Sequence, residues 1–132
     1  MSNRENIALM AHLMRRAGFG ATRAELEERV SKGYEATVEE LLNPESQDPV
    51  DDDLLFRYFP NYEGGMAPVQ AQAQWMYRMI NTRRPLEEKM VLFWHQLFAT
   101  GNSKIDNPPE LTAQIAMFRR QALGTFPNYL LE

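Results

Sequence analysis

The chain contains no cysteine. Disulfides, thiolate metal centres and cysteine nucleophiles are therefore excluded from its chemistry. Histidine is nearly as scarce. His12 and His95 are the two present, so imidazole chemistry has only two places to run. No apolar run is long enough to span a bilayer. Positive charge is short as well. Fourteen Lys and Arg face 18 Asp and Glu, for a net charge of -4. A nucleic-acid-binding domain carries the opposite balance, so no nucleic-acid partner is expected. The opening MSNRENIALMAHLMRR lacks a basic leader, an apolar core and a cleavage site in series, which makes the cytoplasm the expected location. No stretch alternates with a strand-like period between turn signals, so no sheet is expected. No internal repeat or low-complexity tract is present.

What remains is an ordinary globular composition, 44% apolar and 24% charged over 132 residues, enough for one helical domain spanning 1–132 with a real core. The richest stretch is PLEEKMVLFWHQLFATG, Pro85 to Gly101. At 3.6 residues per turn, Leu86, Met90, Phe93, Trp94, Leu97 and Phe98 form one stripe with Val91 on its edge. Pro85 suits a first helical turn, Glu87 and Glu88 complement the positive end of the helix dipole, and Gly101 is a natural stop. Leu92 lies opposite, so the helix is apolar nearly all round and reads as the buried centre of the fold. His95 sits on the flank that carries Glu88 and Val91. It is a candidate general base or metal ligand at the rim of a pocket, weighed against a core-edge histidine with one satisfied hydrogen bond, which is the preferred reading.

Around this hub the spacing predicts further helices. Asn3 to Ala17 presents Ile7, Met10, Leu13, Met14 and Ala17 on one face and His12, Arg15 and Arg16 on the other. Gly18 and Gly20 flank Phe19, which reads as an aromatic plug closing that helix. A capping box, Thr22 to Glu25, opens a second helix that stops at Gly33. A third starts near Tyr34 and ends before Pro44. Residues 43–67 form an irregular Pro-, Gly- and acid-rich connection. Within it Asp51, Asp52 and Asp53 read as the cap of a short helix, since the calcium-loop spacing is missing. Phe56, Tyr58, Phe59 and Tyr62 are expected to dock the connection onto the core or line a cleft. Pro68 to Thr82 is helical with Val69, Ala73, Met76, Tyr77 and Ile80 as its stripe, and Trp75 lies off it beside Met79, so burial of a second face is open. Arg83 and Arg84 form a link read as a solvated turn in preference to an anion site. Asn107 and Pro108 open the next helix, with Leu111, Ile115, Phe118 and Ala122 inward and Arg119 and Arg120 off the stripe. Phe126 to Glu132 begins another helical segment. The expectation is an all-α fold, an irregular bundle of five to seven helices around a buried central helix at 85–99. No motif specifies a cofactor, and no spacing of His, Asp and Glu specifies a metal.

Three segments, HLMRRAGFGAT (His12–Thr22), PLEEKMVLFWHQLFAT (Pro85–Thr100) and FRRQALGTFPNYLL (Phe118–Leu131), together resemble the N-terminal part of a bacterial family of uncharacterised proteins, domain of unknown function 1800. GYEATVEELL (Gly33–Leu42) fits between them. Members of that family are several times longer, so the resemblance implies a fragment. The missing C-terminal part would be a natural partner for its apolar faces. Family members usually read F-W-H-N-H-F in the hub, whereas here Phe93-Trp94-His95-Gln96-Leu97-Phe98 has Leu97 in place of the second histidine. Arg15 with Arg16, and Arg119 with Arg120, match the family's paired arginines.

Two functions follow from these residues. In the first, the parent protein is an enzyme, and His95, His12 and one arginine pair line a common concavity that takes an anionic group. In the second, the chain is a non-catalytic interaction or scaffold module, whose methionine-rich helix faces self-associate or meet a partner. In that case the same polar residues scatter.

Overall fold

The structure, a computed structural model, describes residues 2–58, 68–98, 101 and 108–127, except the side chains of Pro68 and Pro108. Among these there are seven α-helices, one short 3-10 helix and no strand. The fold is an all-α irregular bundle. In chain order the helices are α1 (Asn3–Arg16), α2 (Arg23–Lys32), α3 (Tyr34–Leu42), α4 (Asp52–Tyr58), α5 (Pro68–Asn81), α6 (Pro85–Leu97) and α7 (Pro108–Arg120). The 3-10 turn Pro44–Ser46 follows α3. No helix among the described residues is long and apolar enough to cross a membrane.

Local chemistry sets the helix ends. Thr22 Oγ1 accepts from the Glu25 amide, and the Thr22 amide donates to the Glu25 carboxylate at 2.6 Å, closing the expected box. The Thr22 hydroxyl also donates to that carboxylate, at 2.7 Å, and it and the Thr22 amide hold the Glu25 carboxyl below its ordinary range. The same reciprocal box joins Ser2 and Glu5 at the start of α1. Its S-x-x-E signal stands in the sequence as plainly as the second one. Asp51 accepts from the Asp53 amide at 2.8 Å, so the aspartates cap α4 as expected. α3 begins at Tyr34, and its buried Thr37 donates back to the Gly33 carbonyl at 2.8 Å.

Two apolar clusters make the core. Ile7, Met10 and Met14 of α1 pack with Leu26 of α2 and Leu41 of α3, and Leu86 of α6 joins them. Val91 and Trp94 of α6 pack with Phe118 and Ala122, flanked by Trp75, Met90, Phe98 and Ile115. α6 is thus the one helix that enters both clusters, the central position expected of it. Its start lies directly on the turn after α1. A Cβ built on Gly18 would stand 2.9 Å from Pro85 Cβ, so only glycine lets the two segments meet.

Three expectations about facing are corrected. α6 buries its apolar stripe only in part, with Trp94 buried and Leu86, Met90 and Phe98 packed against the core. Phe93 is 47% and Leu97 59% exposed, while Glu88, Val91 and Trp94 are buried. The helix is turned so that its mixed flank faces inward, because the Glu88 carboxylate finds its donors on α5 and α7. In α5 the stripe is largely outside the core, with Val69 and Ile80 each 74% exposed, and the second face left open at Trp75 is the one that packs on α6. The connection docks through Leu55, which is fully buried, whereas Phe56 and Tyr58 stay exposed. Phe59 and Tyr62 lie outside the described residues, as do Asn107 and residues 128–132 of the final segment. Phe19 is no plug either. Its exposed ring lies under the Lys89 ammonium, 5.3 Å from the ring centroid.

Trp94 is the anchor of the second cluster. Its indole donates to the Ala122 carbonyl at 3.2 Å, and its ring stacks on Phe98 with centroids 6.0 Å apart. Trp94→Ala should therefore cost about 3–5 kcal/mol in chemical denaturation. The neighbouring Phe93→Ala should cost less, about 1–2 kcal/mol, since nearly half of that residue stays in water on folding. Equal losses would mean that the Phe93 edge of the stripe is buried as deeply as Trp94.

Candidate functional site: an arginine-lined cleft

Glu88 is the starting point, because a carboxylate only 2% exposed must be fully satisfied. Its Oε1 accepts from Arg119 Nε at 2.5 Å. Its Oε2 accepts from Arg119 Nη2 at 3.2 Å and from Trp75 Nε1 at 3.1 Å. The bond to Arg119 is therefore bidentate and charge-assisted. This cluster ties α5, α6 and α7 together and forms the floor of a cleft of about 490 Å³.

Four guanidinium groups line the cleft, from Arg78 of α5, Arg84 of the α5–α6 link, and Arg119 and Arg120 of α7. Three carboxylates line it too, Asp52, Glu87 and Glu88. The balance is one net positive charge in a chain that is acidic as a whole. Arg84 is positioned by donating from Nε to the Gln47 carbonyl at 2.8 Å. Its Nη1 stands 3.8 Å from the Glu87 carboxylate. Arg78 pairs with Asp52, whose side chain is 85% exposed and so is a loosely held partner. Burial pushes the Glu87 carboxyl above its ordinary range, although Arg84 pulls the other way and Glu88 adds to the rise.

The sequence candidates divide sharply. Arg119 and Arg120 reach the cleft. His12, Arg15 and Arg16 are exposed on α1, and none of them lines it. His95 is half-buried against two rings, Trp75 at 5.2 Å and Phe118 at 6.4 Å between centroids, both edge-on. Its Nδ1 is buried with no hydrogen-bond partner among the described residues. It shares the inward flank of α6 with Glu88 but stands outside the cleft lining. The expected concavity of His95, His12 and an arginine pair is therefore not assembled. Arg84, read as part of a solvated turn, is instead a fixed cleft residue. Glu88 and Trp75 were missed as site residues. Glu88 did carry a signal, a charged residue in helical register with Val91 and His95.

A wider groove of about 1090 Å³ opens between the α1–α2 turn and α5. Its charges are largely spent on one another. Arg29 and Lys32 both pair with Glu40, and Glu25 is held by Thr22. Among the described residues no group of three or more His, Asp and Glu is placed to hold a metal ion.

A family model described as "Protein of unknown function (DUF1800)" matches residues 12–132. The chain belongs to the DUF1800 family. The family's description names no activity, and the match covers His95, the paired arginines and every cleft residue. No curated protein and no solved structure matches the chain. The functional reading of this DUF1800 chain accordingly rests on the geometry of its own residues.

The Glu88–Arg119 pair gives a direct check on that geometry. Arg119→Met would leave Glu88 buried with Trp75 as its one remaining donor. It should cost about 3–5 kcal/mol in urea denaturation. Combining it with Glu88→Met should recover most of that loss, because the uncompensated charge leaves with the carboxylate. A double variant as unstable as the single one would remove Glu88 as the organising charge.

Proposed function

We propose that this DUF1800 chain is a helical binding module for a small anionic group, which it takes in the arginine-lined cleft. One observation carries the reading. Four guanidinium groups from two helices and a link converge on a single concavity and exceed its carboxylates by one. Arginine presents a planar fork of donors suited to oxyanions, and it keeps its charge at every physiological pH. Arg119 is committed to Glu88 and acts as part of the floor. Arg78, Arg84 and Arg120 are the groups that meet the ligand. The cleft supplies binding and orientation. A catalytic role in the parent protein would require His95 to reach the ligand from its place beside Trp75.

A second reading, an interaction module, is supported by the exposed apolar residues of α5, of which Met76 and Ile80 line the wider groove. Val69, Met76 and Ile80 are all exposed, at helical spacing. Concentration-dependent sedimentation that is abolished by Met76→Lys with Ile80→Lys would favour self-association through this face.

The anion reading is tested by thermal unfolding in sodium sulfate against sodium chloride at matched ionic strength. A ligand bound only by the folded state raises Tm, with about 2.7 kcal/mol of stabilisation expected at a hundredfold excess over Kd. Sulfate should raise the Tm of the native chain above the chloride control. Arg78→Gln combined with Arg120→Gln should erase the difference. Identical curves in the two salts at both neutral and mildly acid pH would refute an anion site in this cleft.

A further inference from the structure

Glu87 is the group in the cleft that an anion-binding site has least use for. It stands on the first turn of α6, with its side chain only 15% exposed. The charged groups around it are Arg84 at its own helix start, Glu88 beside it, Arg78 from α5 and Arg119 from α7. Asp52 and Arg120 complete the lining. Of the three carboxylates, Glu88 is held by three hydrogen bonds and Asp52 lies in water. Glu87 has neither advantage. Its nearest cation is the loose contact at 3.8 Å to Arg84, and it receives no hydrogen bond strong enough to offset its burial.

An incoming oxyanion must share Arg84 with this carboxylate. Two anions on one guanidinium in a half-buried cleft repel each other. Loss of the negative charge on Glu87 removes the conflict, and its burial 3.8 Å from Arg84 favours that loss. We propose that Glu87 is a proton-operated gate. Ionised, it occupies Arg84 and closes the cleft to anions. Protonated, it releases Arg84 to join Arg78 and Arg120 around a tetrahedral oxyanion of the phosphate or sulfate class. The proposal rests on the anion-binding reading of the cleft and assigns its regulation and ligand shape. The tetrahedral class follows from placement. Arg78, Arg84 and Arg120 come from three separate elements, α5, the link and α7, and three forks offer more donors than the two oxygens of a planar carboxylate can accept. A volume of about 490 Å³ leaves room for the organic part of a monoester. The direction of the coupling is fixed by linkage. Burial already favours the protonated form of Glu87, and a bound anion favours it further, so binding takes up a proton and tightens as pH falls.

Sulfate is the probe, because it keeps its double charge over the range needed and leaves Glu87 as the titrating partner. Calorimetric titration of the native chain from about pH 8 to about pH 5 should show affinity rising by up to tenfold per pH unit. Titration in two buffers of different ionisation enthalpy should show proton uptake in the same range, a readout that needs no variant. Glu87→Gln, folded by circular dichroism, should bind sulfate with the same affinity at every pH and without proton uptake. Acetate should compete poorly with sulfate. Glycerol phosphate should compete well, and it should release the protein from any hold on phosphatidic acid vesicles, which marks the ligand as a soluble monoester. Sulfate binding that is independent of pH in the native chain would overturn the gate and leave the anion site standing. No sulfate binding by either folded protein at any pH would overturn both. Acetate binding as tight as sulfate would overturn the tetrahedral assignment, and vesicle binding that glycerol phosphate cannot displace would overturn the soluble one.

Discussion

The buried carboxylate of Glu88 is the constraint that the second half of the structure obeys. Taking such a charge out of water is tolerable only when several donors meet it, and here they must come from other elements. Trp75 supplies one from α5, and Arg119 supplies two from α7. Three helices are thereby required to converge at one point. The rotation of α6 follows from that meeting, with Phe93 and Leu97 left toward solvent. The apolar cluster of Val91, Trp94 and Phe118 then fills the space next to the charge. Hydrophobic burial supplies most of the stabilisation, but it has no direction of its own. The ion pair supplies the direction.

The same residues explain why the cleft exists. A helix start carrying two adjacent glutamates divides their roles by environment. Glu88 points to the donors and is locked. Glu87 lines the cleft, 3.8 Å from Arg84, with Arg78 and Arg120 in the same lining. The cleft is what remains between α5 and α7 after both have reached for Glu88. Its arginines come to one place as a by-product of the packing that satisfies a neighbouring charge.

Most of the secondary structure was legible because its signals are local. The capping box at Thr22, the glycine stop at Gly33, the aspartate cap at Asp51 and the prolines at Pro85 and Pro108 act within a turn or two of themselves. Helix facing was less legible. A hydrophobic stripe marks the buried side only where burial is decided by apolar area alone, as in α1 with Ile7, Met10 and Met14. In α5 and α6 a hydrogen-bonded charge decided it, and that charge gains its partners from residues 13 and 31 positions away. The cleft was partly legible. Arg119 and Arg120 stood out as a pair, but nothing near Arg78 or Arg84 in the sequence indicates that they share a cavity with them. Arg84 gains its fixed position from the Gln47 carbonyl, 37 residues earlier. His12, Arg15 and Arg16 drew notice through their motif, and the fold leaves them on the outer side of α1.

The abutment of Gly18 on Pro85 gives the first three helices a mechanical office. A helix is stiff along its axis, advancing about 1.5 Å per residue, so a push on its first residue is delivered along its length. The turn after α1 serves as an end stop for α6, and Glu87 and Glu88 ride only two and three residues beyond that stop. The axial setting of both carboxylates is therefore governed by how α1 is seated on α2 and α3. A residue with a side chain at position 18 would act as a shim, sliding the pair of carboxylates against arginines held on other elements. The N-terminal helices contribute no atom to the arginine cleft, and yet they set its registration.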